Sequence, residues 1–229
     1  MIKKETKISE SVFCGLILAL SGGAMDAYSY LFRDEVFANA QTGNMLLLGV
    51  NIANCDFSNA LRYFGLVIAF VGGIVLSDLA RYRFNKMSNL HWKQISLAFE
   101  ILILIFVAFV PVSRNQLANA MTSFACGIQV QSFRSIRGNS IATTMCIGNL
   151  RSATQYMDKY IHFGDKGNIR KSALYFGVIF AFVFGAVIEG FLIKYFKQAA
   201  IIFSPVLLAI ALILMFIYKN EEDEERFTD

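Results

Sequence analysis

The sequence predicts an all-α integral membrane protein with six transmembrane helices, arranged as two inverted three-helix repeats that each carry a short re-entrant strand and half-helix. Three observations lead there: long apolar runs, internal repetition, and lysines and arginines sorted to one side. Of 229 residues 56% are apolar, 22 are Phe and only 17% are charged, whereas soluble chains carry roughly a quarter charged residues. The net charge of +4 is small and distributed by membrane side, so no nucleic-acid partner is expected. The chain reads as one membrane domain, residues 1–229.

The lysine-rich start and the first apolar run, 12–32, resemble a secretory signal ending near Gly22-Gly23-Ala24. Repetition argues against cleavage. With Gly22 set on Gly127, Gly43 falls on Gly148 and Asn44 on Asn149. Further along, the eleven residues from Tyr63 match those from Tyr175 at seven positions. The register changes from 105 to 112, placing an insertion of about seven residues in the polar run 162–168. The repeats are 10–114 and 115–220, followed by an acidic cytoplasmic tail, 221–229.

The runs 12–32, 61–80, 95–112, 117–133, 172–193 and 199–218 are each about long enough to cross ~30 Å of hydrocarbon as a helix. Two shorter runs, 36–53 and 141–157, hold Asn39, Gln41, Thr42 and Asn44, or Thr143, Thr144, Asn149 and Arg151. Such residues suit lipid poorly. If neither short run crosses, sixteen of the 21 basic residues share one side, and only Arg33, Arg62, Arg114, Lys194 and Lys197 face the other. If both cross, the split is eleven to nine with Arg151 inside the membrane. The positive-inside rule selects six spans with cytoplasmic termini, and three spans per repeat invert the second half.

Each short run then enters and leaves on one side. Five extended residues, 36–40, cover ~16 Å, and 42–53 as helix ~18 Å, each about half a bilayer. Thr42 is the expected N-cap, with Gly43 and Asn44 opening the half-helix. In the second half Thr143 and Thr144 lie in the extended arm and Gly148-Asn149 at the turn. Two helix N-termini would meet at the midplane, a setting for an anion or a polar solute. Asp26, inside the first span, sits opposite Gln131 in the repeat, with Gln129 nearby. A carboxyl at that depth is costly unless paired, hydrated or protonated, so it is expected to bind a cation or carry a proton. Glu100 and Glu189 also fall in apolar runs, and Lys194 stands close enough to rescue Glu189 by snorkelling.

Gly65, Ala69, Gly73 and Ser77, and likewise Gly177, Ala181 and Gly185, make small helix faces for close packing, within one chain or between two. Trp92 reads as an interfacial anchor. Cys14, Cys55, Cys126 and Cys146 have no zinc spacing and read as buried thiols, and His91 and His162 stand apart from any cysteine pair. No metal or cofactor is expected. No nucleophile or hydrolase motif is present, so no enzyme is expected.

The stretch Gly22-Gly23-Ala24-Met25-Asp26-Ala27-Tyr28, continued by Asn39-Ala40-Gln41-Thr42-Gly43-Asn44, resembles the signature of the YoaK-like family of bacterial membrane proteins. Gly127-Ile128-Gln129 and the turn from Thr143 to Gly148 resemble its second-half elements, with Ile147 standing where the family has Thr. The resemblance implies a multi-span protein of the bacterial cytoplasmic membrane and names no substrate. The expected function is a small secondary carrier for a polar or anionic solute, coupled through Asp26, with membrane lipid, its solute or ion, and a second copy as partners. Its midplane site would comprise Asp26, Asn39, Gln41, Thr42, Gly43, Asn44, Gln129, Gln131, Thr143, Thr144, Gly148 and Asn149. A membrane-embedded scaffold or sensor, or a passive channel, is the alternative.

Overall fold

The structure, a computed structural model, describes residues 8–84 and 92–228. The N-terminal lysines, Lys86 and His91 lie outside the described residues, as do the side chains of the acidic tail. Among the described residues eight α-helices follow in order: α1 Val12–Phe32, α2 Gln41–Ala53, α3 Phe57–Phe84, α4 Trp92–Val107, α5 Asn115–Ser132, α6 Ile147–Phe163, α7 Lys166–Phe196 and α8 Phe203–Thr228. A two-residue ladder, β1 Ser135–Ile136 with β2 Asn139–Ser140, turns through Arg137 and Gly138. Both turn residues have positive φ, 47° and 74°, as a tight hairpin with right-handed twist requires.

Local chemistry sets the boundaries. Ser11 caps α1 by accepting from the Cys14 N–H at 3.1 Å, and Asp165 caps α7 through Gly167. Asp56 accepts from the Asn59 backbone and side-chain nitrogens ahead of α3, and those bonds hold its carboxyl below the ordinary carboxylate range. Gly164, in the left-handed region, ends α6. The extra residues of the second half lengthen helices rather than a loop: α6 has 17 residues against 13 in α2, and α7 has 31 against 28 in α3.

Two polar layers mark the ends of the bundle. At one end Lys93 pairs with Glu10 at 3.5 Å, Gln94 donates to the Met215 carbonyl, and the Arg137 N–H donates to the Glu10 carbonyl. At the other, Arg33 meets the carbonyls of Val107 and Val110 and the side chain of Asn115, while Tyr28 donates to the Gln198 carbonyl. Helices α1, α4 and α7 run from the first end to the second. Helices α3, α5 and α8 run back.

Two helix crossings hold this frame. A Cβ added at Gly73 would run into the Phe124 carbonyl, and one at Gly127 into the Phe70 carbonyl, so α3 and α5 touch backbone to backbone. Helices α1 and α7 meet the same way, with Gly23 on the Phe182 carbonyl and Gly185 on the Leu20 carbonyl. Each small face therefore packs within the chain, that of α3 on α5 and that of α7 on α1, rather than the two faces on each other. The Ser77 and Ser132 hydroxyls, 2.8 Å apart, extend the α3–α5 contact. Gly65 faces open space and takes no part in it. A core of Leu18, Met25, Leu97, Leu104, Ile201 and Leu208 fills the space where α1 meets α4 and α8.

The outer surface is apolar. On α3, Leu61, Phe64, Ile68, Val71, Val75 and Leu79 are exposed at helical spacing, a stripe of ~27 Å that matches hydrocarbon thickness. Among the described residues, three helical stretches are long and apolar enough to cross a membrane: Val12–Phe32, Phe57–Phe84 and the continuous run Lys166–Ile217. The remaining two expected spans, α4 and α5, are shorter or more polar. Helix α4 has only 16 residues, and α5 buries Asn115, Asn119, Thr122, Ser123 and Gln129: the two asparagines bond to Arg33, Ser123 to the Leu66 carbonyl of α3, Gln129 to the Leu18 carbonyl of α1, and Thr122 back to the Ala118 carbonyl of its own helix.

Candidate functional site

Beyond α1 the chain doubles back along it as an irregular arm; the expected strand at 36–40 does not form. Ser29 Oγ accepts from the Ala38 N–H, Asp26 Oδ1 accepts from the Asn39 N–H at 3.0 Å, and Asn39 Nδ2 donates to the Gly22 carbonyl at 3.1 Å. Gly22 lies halfway along α1. From that depth α2 sets off and returns to the end it came from, because Arg62, five residues into α3, holds Asp34 at 3.6 Å. Gln41 fixes the start by donating to the Ala38 carbonyl and to Ser123 Oγ of α5, both at 2.8 Å.

A second arm comes from the opposite end. It leaves the hairpin, where Tyr175 donates to the Ser140 carbonyl, and runs back along α5. Gln129 Nε2 donates to Thr143 Oγ1 at 2.8 Å and to the Leu18 carbonyl of α1 at 3.0 Å. The Thr143 carbonyl and the Thr144 Cα lie so near Gly22 that a Cβ there would stand 2.9 and 3.2 Å from them. Helix α6 then returns along α7, with Ser172 donating to the Ala153 carbonyl. Gly22 is thus the point where the two arms meet, and its missing side chain is what lets the second arm in.

The structure brings Asn39, Gln129, Thr143 and Thr144 together at Gly22 and buries Gln41, Asn44 and Asn149 along the two arms. Asp26 is half-buried one turn from Gly22 and lines a pocket of about 380 Å³ with Tyr30, Phe37, Phe182 and Val183. The other candidates lie apart. Ala40, with no side-chain hydrogen bond, is the N-cap of α2 in place of Thr42, which is exposed. Helix α2 starts one residue early because Gln41 and Asn44 are drawn inward, which turns Thr42 outward. Gly43 and Gly148 face open space. Gln131 turns away to donate to Asp78 of α3 at 2.6 Å.

Other ionisable side chains are buried as well. Arg33, counted by the sequence among the outward-facing residues, is wholly buried. Its guanidinium donates to Tyr28 Oη at 3.1 Å, Asn115 Oδ1 at 2.9 Å, and the Val107 and Val110 carbonyls at 3.2 and 2.8 Å. Glu100 and Glu189 are fully buried, and neither carboxyl has a hydrogen-bond partner among the described residues. Lys194 does not rescue Glu189; its ammonium sits over the Phe191 ring. Of the cysteines, Cys14 and Cys126 are buried and Cys146 half-buried, but Cys55 is exposed. Among the described residues no three His, Cys, Asp or Glu side chains come together as a metal site.

A family model described as protein of unknown function (DUF1275) matches residues 14–214, a range that takes in both arms, all but the first two residues of α1, and every helix from α2 to α7. The chain belongs to this family. It is also 27% identical over 184 residues to the UPF0700 transmembrane protein YoaK of Bacillus subtilis (strain 168), covering 75% of this chain and 79% of that protein. The resemblance read from the Gly22 and Asn39 motifs is therefore correct. No solved structure gives a significant match. Together with the apolar stripes, the relative makes this a helical membrane protein.

Proposed function

We propose that the protein is a small secondary carrier, not an enzyme, and moves a small polar or anionic solute through a site at the level of Gly22. One observation carries the reading: two arms, from opposite ends of the bundle, stop side by side at the middle of α1. In a membrane this is the plan of two inverted halves, 10–114 and 115–220, each with three spans and one re-entrant half-helix, around a midplane site. The matched glycine crossings of α3 with α5 and of α1 with α7 support the same two-fold plan. Irregular backbone at such depth is tolerated where it is buried in protein or lines a cavity, and here the arms are held against α1 and α5 while Asp26 opens on an apolar groove. The Asp26 carboxyl is the coupling group. The basic end belongs to the cytoplasm, with both termini there, in the bacterial inner membrane. Because six spans leave little room to wall off a path, the carrier works as a homodimer.

The test is charge movement in proteoliposomes on a solid-supported membrane, challenged with a panel of amino acids, sugars and small carboxylates. The carrier reading expects a transient current for at least one solute, lost in Asp26→Asn while the variant keeps its elution profile and melting temperature. No current across the panel, with Asp26→Asn altering only thermal stability, would replace the carrier by a structural scaffold.

A further inference from the structure

Ten buried side-chain atoms lack a hydrogen-bond partner among the described residues, and all ten are oxygens. Four of them belong to residues around Gly22: Ser21 Oγ, Asn39 Oδ1, Gln129 Oε1 and Thr144 Oγ1. Ser21 precedes Gly22 on α1, Asn39 is bonded to the Gly22 carbonyl, Thr144 lies against its Cα, and Gln129 spans from Leu18 to Thr143. The amide nitrogens here are committed, Asn39 Nδ2 to Gly22 and Gln129 Nε2 to Leu18 and Thr143. The Thr144 hydroxyl lies beside the Cys126 sulfur, a weak acceptor, which leaves its lone pairs free. The meeting point of the arms therefore presents four oxygens with free lone pairs, two from amides and two from hydroxyls. Leaving such oxygens bare costs the full desolvation of each.

We propose that the oxygens around Gly22 bind an alkali-metal cation. Hard oxygen ligands without nitrogen or thiolate exclude the zinc and copper class. A calcium or magnesium site usually draws on several carboxylates as direct ligands, whereas the carboxyl joined to these oxygens is that of Asp26, through Asn39, with Glu100 further off beyond Cys126; one carboxylate balances one positive charge. Asn39 links the two parts, its side chain on Gly22 and its backbone N–H on Asp26 Oδ1. Broken segments at mid-depth are where membrane carriers hold coupling cations. The role as coupling ion rests on the carrier reading; the binding itself does not.

The experiment is thermal unfolding of the full-length purified protein in sodium, potassium or choline chloride at equal ionic strength. A ligand that binds only the folded state raises stability with its concentration. Sodium or potassium should raise the melting temperature saturably and choline should not, and Thr144→Val should weaken the apparent affinity at least tenfold. Thr144→Val keeps the side-chain volume and removes a hydroxyl whose neighbour is only the weakly bonding Cys126 sulfur, so it should fold; Ser21→Ala is the second variant if it does not. Equal melting curves in all three salts, or an alkali-ion shift untouched in both variants, overturns the site. A cation shift without any solute current leaves the site and removes the carrier. A solute current that is the same in choline as in sodium and potassium does the reverse.

Discussion

Asn44 and Asn149, 105 positions apart, make the same hydrogen bond: each side-chain nitrogen donates to the carbonyl seven residues earlier, Phe37 at 3.2 Å and Ala142 at 2.6 Å. Each asparagine sits in the first turn of its short helix and pins the arm that leads into it. Both are buried, so deleting either strands a carbonyl that lipid cannot satisfy. Asn44→Ala and Asn149→Ala should each cost about 1–3 kcal/mol, and melting of both single variants and the double in detergent checks it. A free substitution on one side would show that the two elbows are not mechanically alike.

The glycine crossings make a sharper contrast. Gly73→Ala and Gly185→Ala put a methyl into a facing backbone carbonyl, so α3 must move from α5, or α7 from α1. Each should destabilise by about 1–3 kcal/mol or more. Gly43→Ala and Gly148→Ala, with nothing within 4 Å of the new Cβ, should melt like the parent. Equal behaviour of the two sets would contradict the close backbone contact.

Arg33 anchors the second polar layer through four side-chain hydrogen bonds. Arg33→Met leaves the Val107 and Val110 carbonyls and Asn115 Oδ1 without that donor and should cost about 3–5 kcal/mol. Arg33→Lys keeps the charge but not the planar fork and should recover only part of the loss. Melting temperatures of the two variants decide it, and a lysine variant as stable as the parent would assign the effect to charge alone.

Cys55 offers a topology test with no engineering. It is the exposed cysteine, at the far end of α2 close to the Asp34 and Arg62 pair. If the first short run re-enters, an impermeant maleimide should label Cys55 from outside spheroplasted cells, and Cys55→Ser should abolish the label. Protection until lysis would mean that α2 crosses.

Periodicity and repetition made much of this legible. The register of 105 paired Gly43 with Gly148 and Asn44 with Asn149, and the apolar run 12–32 is α1 to the residue. What stayed hidden depends on contacts far apart in the chain. Counting charges by side places Arg33 outside, because its partners are carbonyls 74 and 77 residues away. Thr42 has the chemistry of a cap, yet Gln41 and Asn44, pulled towards Ser123 and Phe37, decide how the helix turns. Spacing alone puts Glu189 within reach of Lys194, but the fold turns that lysine to an aromatic ring. Gln131, matched to Asp26 by the repeat, is claimed by Asp78.

The exchange of partners at the glycine crossings has a bearing on how the protein is made. Helix α1 leaves the ribosome early, but the backbone it must lie against, in α7, is synthesised more than 130 residues later, and α3 likewise waits for α5. The first half therefore enters the bilayer with its glycine notches unfilled and depends on the second half to close them. Neither half expressed alone should withstand the quality-control proteases of the membrane, whereas the two made together as separate chains should find each other and assemble.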